Sequence, residues 1–282
     1  MRGHGTSHGA ATIVSALATG KGAAFGIDLT TTADVILEEG SGIDVIIEGI
    51  TEESPSLAME CARTVLNKYA SGKEYHVSIV TRSDIPASRG LKSSSAAANA
   101  IIEAMLNALD VEYNDMDAVR LGAKAAIRAG VSITGAFDDA CASKFGGIFL
   151  TDNTTNTVIS RDIMSDLSIF IHVPEYQIRK STLPKERMVA IGDMIDIAFQ
   201  LAKKGDYLRA LTLNGLCYST ALSLDTEIVI KAYQAGAIAA GLTGSGPATI
   251  MLVEHTQADD FQRQMKEYSL MKTSVNNGRS KI

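Results

Sequence analysis

The stretch Pro86-Ala-Ser-Arg-Gly-Leu-Lys-Ser-Ser-Ser-Ala-Ala-Ala-Asn99 joins a spaced Gly-Leu, three serines and an alanine run, a composition that lets a backbone approach a ligand closely. Before it, Tyr75, Val77 and Ile79 alternate with His76, Ser78 and Val80, the period of a strand. After it, Ala98, Ile101, Ile102, Met105 and Leu109 recur at helical spacing. The loop therefore leads into a helix N-terminus, where unpaired N–H groups and roughly half a positive charge attract anions. Gly90 and the short side chains from Ser93 to Ala96 would let a polyphosphate reach those groups. One serine suffices to cap a helix, so the length of the pattern is what points to phosphate. The candidate contacts are Pro86, Ala87, Ser88, Arg89, Gly90, Leu91, Lys92, Ser93, Ser94, Ser95 and Ala96.

Three further stretches carry residues capable of chemistry. Asp138 and Asp139 are adjacent carboxylates among small and apolar residues, where a charge is costly unless it is paired or used. The plainer alternative makes Asp138 the cap of the following helix, with Asp139 in its first turn. Gly241-Leu-Thr-Gly-Ser-Gly-Pro-Ala248 joins two strand-like segments, and a Gly-Ser-Gly turn by itself says little. Ala18-Thr-Gly-Lys-Gly22 resembles a P-loop only in passing. Ser15 stands where the first glycine belongs, and Gly22 replaces the hydroxyl residue that would meet magnesium. By its own surroundings Lys21 reads as a solvated lysine in a turn.

The elements that must position these residues read as α+β. Strands are expected at 12–17, 23–29, 33–38 and 44–48, the last two forming a hairpin through Gly40-Ser41-Gly42. Ser54-Pro55 opens a helix, and another is expected over 115–129. The polar run after Thr151 suggests a boundary between an N-terminal domain, 1–157, and a C-terminal domain, 158–282. Downstream, a strand at 167–173 precedes helices at 184–203, 206–222 and 225–236. Strands at 237–242 and 247–254, a helix at 257–268 and a strand at 271–275 complete the order of a split βαβ, ferredoxin-like sandwich.

The pattern Pro86-x-x-x-Gly90-Leu91-x-Ser93-Ser94-Ser95-Ala96 resembles the ATP-binding motif of the GHMP kinases, the family of galactokinase, homoserine kinase and mevalonate kinase. Lys92 departs from it, since relatives usually carry Gly or Ser there. The resemblance implies a GHMP-kinase fold: an N-terminal domain like domain 2 of ribosomal protein S5, followed by a ferredoxin-like α/β sandwich. It implies that the turn with Gly244 and Ser245 meets the nucleotide loop, and that Lys21 lies near the reacting phosphate. It also implies an aspartate facing the acceptor hydroxyl. Counting forward from Gly135 selects Asp138, whereas counting back from Gly146-Gly147 selects Asp139.

Within the superfamily, the segments 16–28, 84–97 and 134–140 look like the archaeal-type shikimate kinases. That resemblance implies transfer of the ATP γ-phosphoryl group to a ring hydroxyl of shikimate, on the route to chorismate and the aromatic amino acids. In this reading the amides from Gly90 to Ala96 hold the phosphates and Ser94 helps ligate Mg²⁺. Asp138 is the base and Lys21 the stabilising cation. Mevalonate kinase has a glutamate metal ligand where 123–129 here has no acid, so phosphates, Ser94 and water would hold most of the metal. Two alternatives stay open: a GHMP kinase for another small alcohol such as homoserine, and a non-catalytic metabolite-binding protein of the same fold.

Composition narrows the partners. A net charge of -6 and no run of more than two basic residues give no footprint for nucleic acid or an anionic membrane. Cys61, Cys141 and Cys217 are widely spaced, as expected of reduced cysteines in a cytoplasmic protein. The run 10–18 is too diluted by Thr12 and Ser15 for a convincing secretory signal. No segment is apolar for long enough to span a bilayer. A homodimer is left open. Arg82, Arg89, Arg179 and Lys180 are the cations available to an acceptor carboxylate.

Overall fold

The computed structural model describes residues 1–49, 54–178 and 183–278. Its first layer is built on a long antiparallel ribbon of β1 (Arg2–Val14) and β2 (Lys21–Glu39), with Arg2 opposite Ile36 and Val14 opposite Ala23. The other edge of β2 is shared by β4 (Tyr75–Ser83), paired with residues 31–39, and β5 (Ile148–Asp152), paired with residues 21–25. Outside these lie β3 (Gly42–Ile47), parallel to β4, and β6 (Thr157–Asp162), antiparallel to β5.

The hairpin expected between 33–38 and 44–48 does not form, because β4 lies between the two strands. The α1 helix (Ser56–Tyr69) carries the chain over from β3 to β4, which makes the pair parallel. Val77 and Ile79 of β4 are fully buried, whereas β3 alternates between half-buried and exposed. The more apolar strand takes the central place and the more polar one becomes the edge.

The strand β1 also starts ten residues earlier than the 12–17 expected, at Arg2. Its cause is tertiary. The long helix α2 (Ser93–Ala108) presses on this strand, and a Cβ on Gly3 or Gly5 would stand 2.0 or 2.1 Å from the carbonyl oxygens of Ala104 and Ala100. Asn107 Nδ2 donates to the His4 carbonyl at 2.8 Å, and the Thr6 N–H donates to Glu103 at 3.1 Å. The helix thereby satisfies backbone groups that the sheet leaves unpaired. The helices α3 (Asp115–Arg128) and α4 (Phe137–Phe145) pack around α2.

The second layer runs β7 (Ser168–His172), α5 (Lys185–Ala190), α6 (Gly192–Lys203), α7 (Tyr207–Ala221), α8 (Glu227–Gln234), β8 (Ala239–Leu242), β9 (Thr249–Val253), α9 (Ala258–Gln264) and β10 (Leu270–Ser274). Its strand order, β10-β7-β9-β8 with every pair antiparallel, is that of the ferredoxin-like sandwich. The single helix expected over 184–203 divides at Ile191 into α5 and α6.

The two layers share one core. Phe25, Leu91 and Leu150 of the first half pack in the same buried cluster as Ile169, Phe199 and Leu252 of the second. The first sheet extends to Asp162, past the boundary placed at 157, because β6 stays paired with β5 through a one-residue register shift at Leu150/Thr151. The run 10–18, weighed as a leader, forms the buried end of β1 and the turn after it. That turn is fastened to α7: the Tyr218 hydroxyl accepts from the Ala18 N–H at 3.0 Å and donates to the Ser15 carbonyl at 3.2 Å. Tyr218→Phe leaves both groups buried without this partner and should cost about 1–3 kcal/mol, read as a lower urea midpoint at constant slope.

Candidate active site

The α2 helix starts at Ser93, and its N-cap is Lys92, in a left-handed conformation with φ 67°. No side chain caps it, despite three serines. Its first-turn N–H groups are therefore left for another acceptor. The preceding loop is anchored by Leu91, which is fully buried. Gly90 has φ 85°, and a Cβ there would stand 2.2 Å from the Thr243 carbonyl oxygen.

That contact is part of a lock between the two glycine-rich turns. The Thr243 hydroxyl donates to the Gly90 carbonyl at 3.1 Å, and the Ala248 N–H donates to the Arg89 carbonyl at 3.1 Å. Thr12, on β1, braces the second of these turns: its N–H donates to the Thr243 hydroxyl and its own hydroxyl accepts from the Gly244 N–H at 2.9 Å. Gly244 thus faces Gly90 and Lys92, with half-buried Ser245 beside it. The Arg89 guanidinium is occupied, donating to the backbone carbonyls of Glu175 and Tyr176. An apolar hollow opens beside the loop, lined by Ile47, Leu57, Ile85, Ala87, Ser93 and Ile101 among others.

The second half of the site is the N-terminus of α4. Ala136 caps it at φ 48°, its N–H donating to the Thr134 hydroxyl at 3.2 Å. Asp138 and Asp139 fall in its first turn and are 3% and 7% exposed. Asn153, just past β5, donates from Nδ2 to Asp138 Oδ1 at 2.8 Å. The Asn153 amide is itself oriented, its Oδ1 accepting from the Thr151 hydroxyl at 2.6 Å. On the other side, a Cβ on Gly22 would stand 2.4 Å from Asp138 Oδ2. Asp139 Oδ2 instead pairs with Lys92 Nζ at 3.0 Å, and its Oδ1 is buried without a hydrogen-bond partner. Asn99 of α2 donates to the Ala140 carbonyl at 2.9 Å, so the two helix starts are held side by side.

Burial, then the negative charge of Asp139, push the Asp138 carboxyl up to about 7, with Lys92 and the Asn153 amide pulling the other way. A carboxylate of that affinity is suited to accept a proton near neutral pH.

The structure thus brings Asp138, Asp139, Lys92 and Gly244 together. It does not bring Lys21 to them. Lys21 is exposed at the start of β2, opposite Asp152, and neighbouring residues on a strand point to opposite faces, so Gly22 rather than Lys21 faces Asp138. Arg82 is held by Glu48 and Asp34 on the sheet surface, and Arg179 and Lys180 lie outside the described residues. Asn153, Thr12 and Thr243 escaped the sequence reading. Asn153 sits in the polar stretch where the sequence suggests a domain boundary, and its one signal is its place three residues after the apolar run Ile148-Phe-Leu150.

Two family models match the chain: the GHMP kinases N terminal domain over residues 56–147 and the GHMP kinases C terminal domain over residues 198–269. A shikimate kinase from Methanothrix thermoacetophila is 45% identical over 92% of this chain and 88% of its own length. This chain belongs to the archaeal shikimate kinase family of GHMP kinases. A further member, the shikimate kinase of Pyrococcus furiosus, is 41% identical over 91% of this chain and 93% of its own. The GHMP kinase fold is equally plain in solved structures: a Lactococcus lactis galactokinase superposes with a TM-score of 0.77 at 14% identity, over 100% of this chain and 95% of its own.

Against other GHMP kinases, the Lys92–Asp139 pair and the Asn153–Asp138 bond are features to test in their own right. Asn153→Ala should lower kcat about tenfold by freeing the Asp138 carboxyl to rotate. Because the lost hydrogen bond favours the ionised form, the acid limb of the kcat/KM profile should also move to higher pH.

Proposed function

We propose that this protein transfers the γ-phosphoryl group of ATP to the 3-hydroxyl of shikimate, giving shikimate 3-phosphate and ADP in the cytoplasm on the route to chorismate. The observation that carries the chemistry is the buried Asp138, with its raised proton affinity, set beside the uncapped start of α2. The choice of acceptor is supported by relatives at 45% and 41% identity that are named shikimate kinase.

The residues present fit the nucleotide. The first-turn N–H groups of α2 have no side-chain cap and suit phosphate oxygens, and the Gly244–Ser245 turn closes over them. The hollow lined by Ile47, Leu57 and Ile85 is apolar and adjoins Ser93, as a purine base would require. A magnesium ion bound there would take most of its ligands from phosphate and water, as its reluctance to dehydrate favours. The Ser94 hydroxyl, in the first turn of α2, is the protein group that would hold it. When bound, the ion neutralises charge on the β- and γ-phosphates.

Asp138 then takes the proton of the shikimate hydroxyl. The freed oxygen bonds to the γ-phosphorus, and the bond from that phosphorus to the bridging oxygen breaks, with the electron pair leaving on ADP. Asn153 holds Asp138 in the orientation this requires, and the shared core of the two layers keeps the phosphate and acceptor sides in register.

ADP release measured with shikimate, homoserine and mevalonate in parallel tests the reading. Turnover should be confined to shikimate and yield the 3-phosphate by mass and phosphorus NMR. Preferential use of homoserine, or no ADP release with any acceptor, would sink it.

A further inference from the structure

We infer that Lys92, rather than Lys21, is the cation that carries the charge of the phosphoryl group in transit, and that Asp139 is the carboxylate that positions Lys92. The inference rests on the ATP-dependent kinase reading above and assigns roles within that site.

Four observations lead there. First, Lys92 has φ 67° and ψ 28°, a conformation that glycine enters freely and that L-residues avoid. A side chain kept at such a position calls for a use, and backbone of this kind gathers at functional sites. Second, the ammonium is nearly buried: the Lys92 and Asp139 side chains are each 10% exposed. Lysine pays a large desolvation penalty in such a place, so a solvated, incidental role is excluded.

Third, the pair is incomplete as a structural ion pair. A buried bridge that only holds the fold together satisfies its remaining lone pairs. Here Asp139 uses one oxygen on Lys92, and the other has no partner. One ammonium also stands against two adjacent buried carboxylates, Asp138 and Asp139. The arrangement has donors and acceptors left over for a ligand.

Fourth, the path of the side chain has been cleared. A Cβ on Gly244 would lie 2.9 Å from Lys92 Nζ, so the Gly244–Ser245 turn leaves room for this ammonium. Lys92 is also the N-cap of α2. Its backbone sits where the phosphates are received and its tip reaches the first turn of α4, where the acceptor's proton is taken. That span is the one the phosphoryl group crosses. Lys92 forms and breaks no covalent bond in the step; its N–H donors meet the phosphoryl oxygens as their charge redistributes. The assignment also separates the two aspartates: Asp139 is committed to Lys92, and Asp138 is left to the hydroxyl.

The test uses Lys92→Gly and the double variant Lys92→Gly/Asp139→Asn, which removes both charges of the pair so that Asp139 is not left as a buried carboxylate without its cation. Each is assayed with ATP, Mg²⁺ and shikimate, with and without methylammonium, beside titration with a non-hydrolysable ATP analogue and thermal melting. Lys92→Gly should lower kcat by about 10²–10³-fold. Its affinity for the analogue should change less than threefold, and methylammonium should restore turnover at least tenfold. The double variant should melt near wild type and stay equally slow. Turnover within threefold of wild type in either variant overturns the inference. So does a slow, folded variant that methylammonium does not help. Wild-type protein that phosphorylates nothing sinks the kinase reading itself, whereas wild-type turnover that survives Lys92→Gly sinks only the role of Lys92.

Discussion

Asp138→Asn should lower kcat with shikimate by about 10³-fold while leaving ATP affinity within a fewfold of wild type. Asparagine keeps the shape and can still meet Asn153, but it has no basic oxygen to receive the hydroxyl proton. In the wild type that oxygen is protonated below about 7, because burial and the charge of Asp139 oppose ionisation. The kcat/KM profile should therefore rise with pH through about 7 and level off above it, and the residual activity of the variant should lack that limb. If Asp139→Asn instead loses as much while Asp138→Asn is near normal, the base has been assigned one residue too early.

The same group predicts a stability signature with a definite sign. The Asp138 carboxyl moves from its ordinary 3.8 up to about 7 on folding, so between those limits the native state binds more protons than the unfolded one. Unfolding free energy then falls as pH rises from about 4 through about 7. Asp138→Asn removes this dependence, so its melting temperature should gain on wild type between pH 5 and pH 8. Gain of stability with loss of turnover is the mark of a charge held for chemistry.

How far the chain could be read in advance follows from the range of the forces involved. The small-residue loop leading into the start of α2 was legible because a strand period, a glycine-spaced turn and a helical period follow one another in sequence, and that pattern is local. The second layer was legible because each strand and helix there buries its own apolar face at its own period. By contrast, β1 from Arg2 to Gly9 is rich in Gly and His and becomes a strand through its pairing with β2 and the packing of α2 against Gly3 and Gly5. The insertion of β4 between β2 and β3 is likewise a non-local pairing that no turn residue announces. Asp138 and Asp139 were inseparable by spacing, since consecutive helical residues point about 100° apart and their roles depend on what each one meets. One meets Asn153 and Gly22, the other Lys92.

Gly22 gives the second large effect. The residue lies within β2 and has an ordinary strand backbone, so alanine is not excluded there on conformational grounds. The obstacle is the neighbour: the added Cβ would stand 2.4 Å from Asp138 Oδ2 and 2.6 Å from its carboxyl carbon, closer than such atoms can approach. The β2 backbone is pinned on both sides, Gly22 facing Thr151 on β5 with Ala23 next to it facing both Leu150 and Val14. The carboxylate therefore has to give way, turning from the hydrogen bond with Asn153. A displacement of about 1 Å at a reacting group is worth about 10²-fold, so Gly22→Ala should lower kcat by that order or more. Nucleotide affinity should hold, because the α2 start and the Thr12–Thr243–Gly90 lock are untouched. Loss of ATP binding in Gly22→Ala, with the melting curve unchanged, would show that the start of β2 at Lys21–Gly22 contacts nucleotide and not the acceptor side. Loss of kcat alone would show that Gly22 is glycine in order to leave space for one carboxylate.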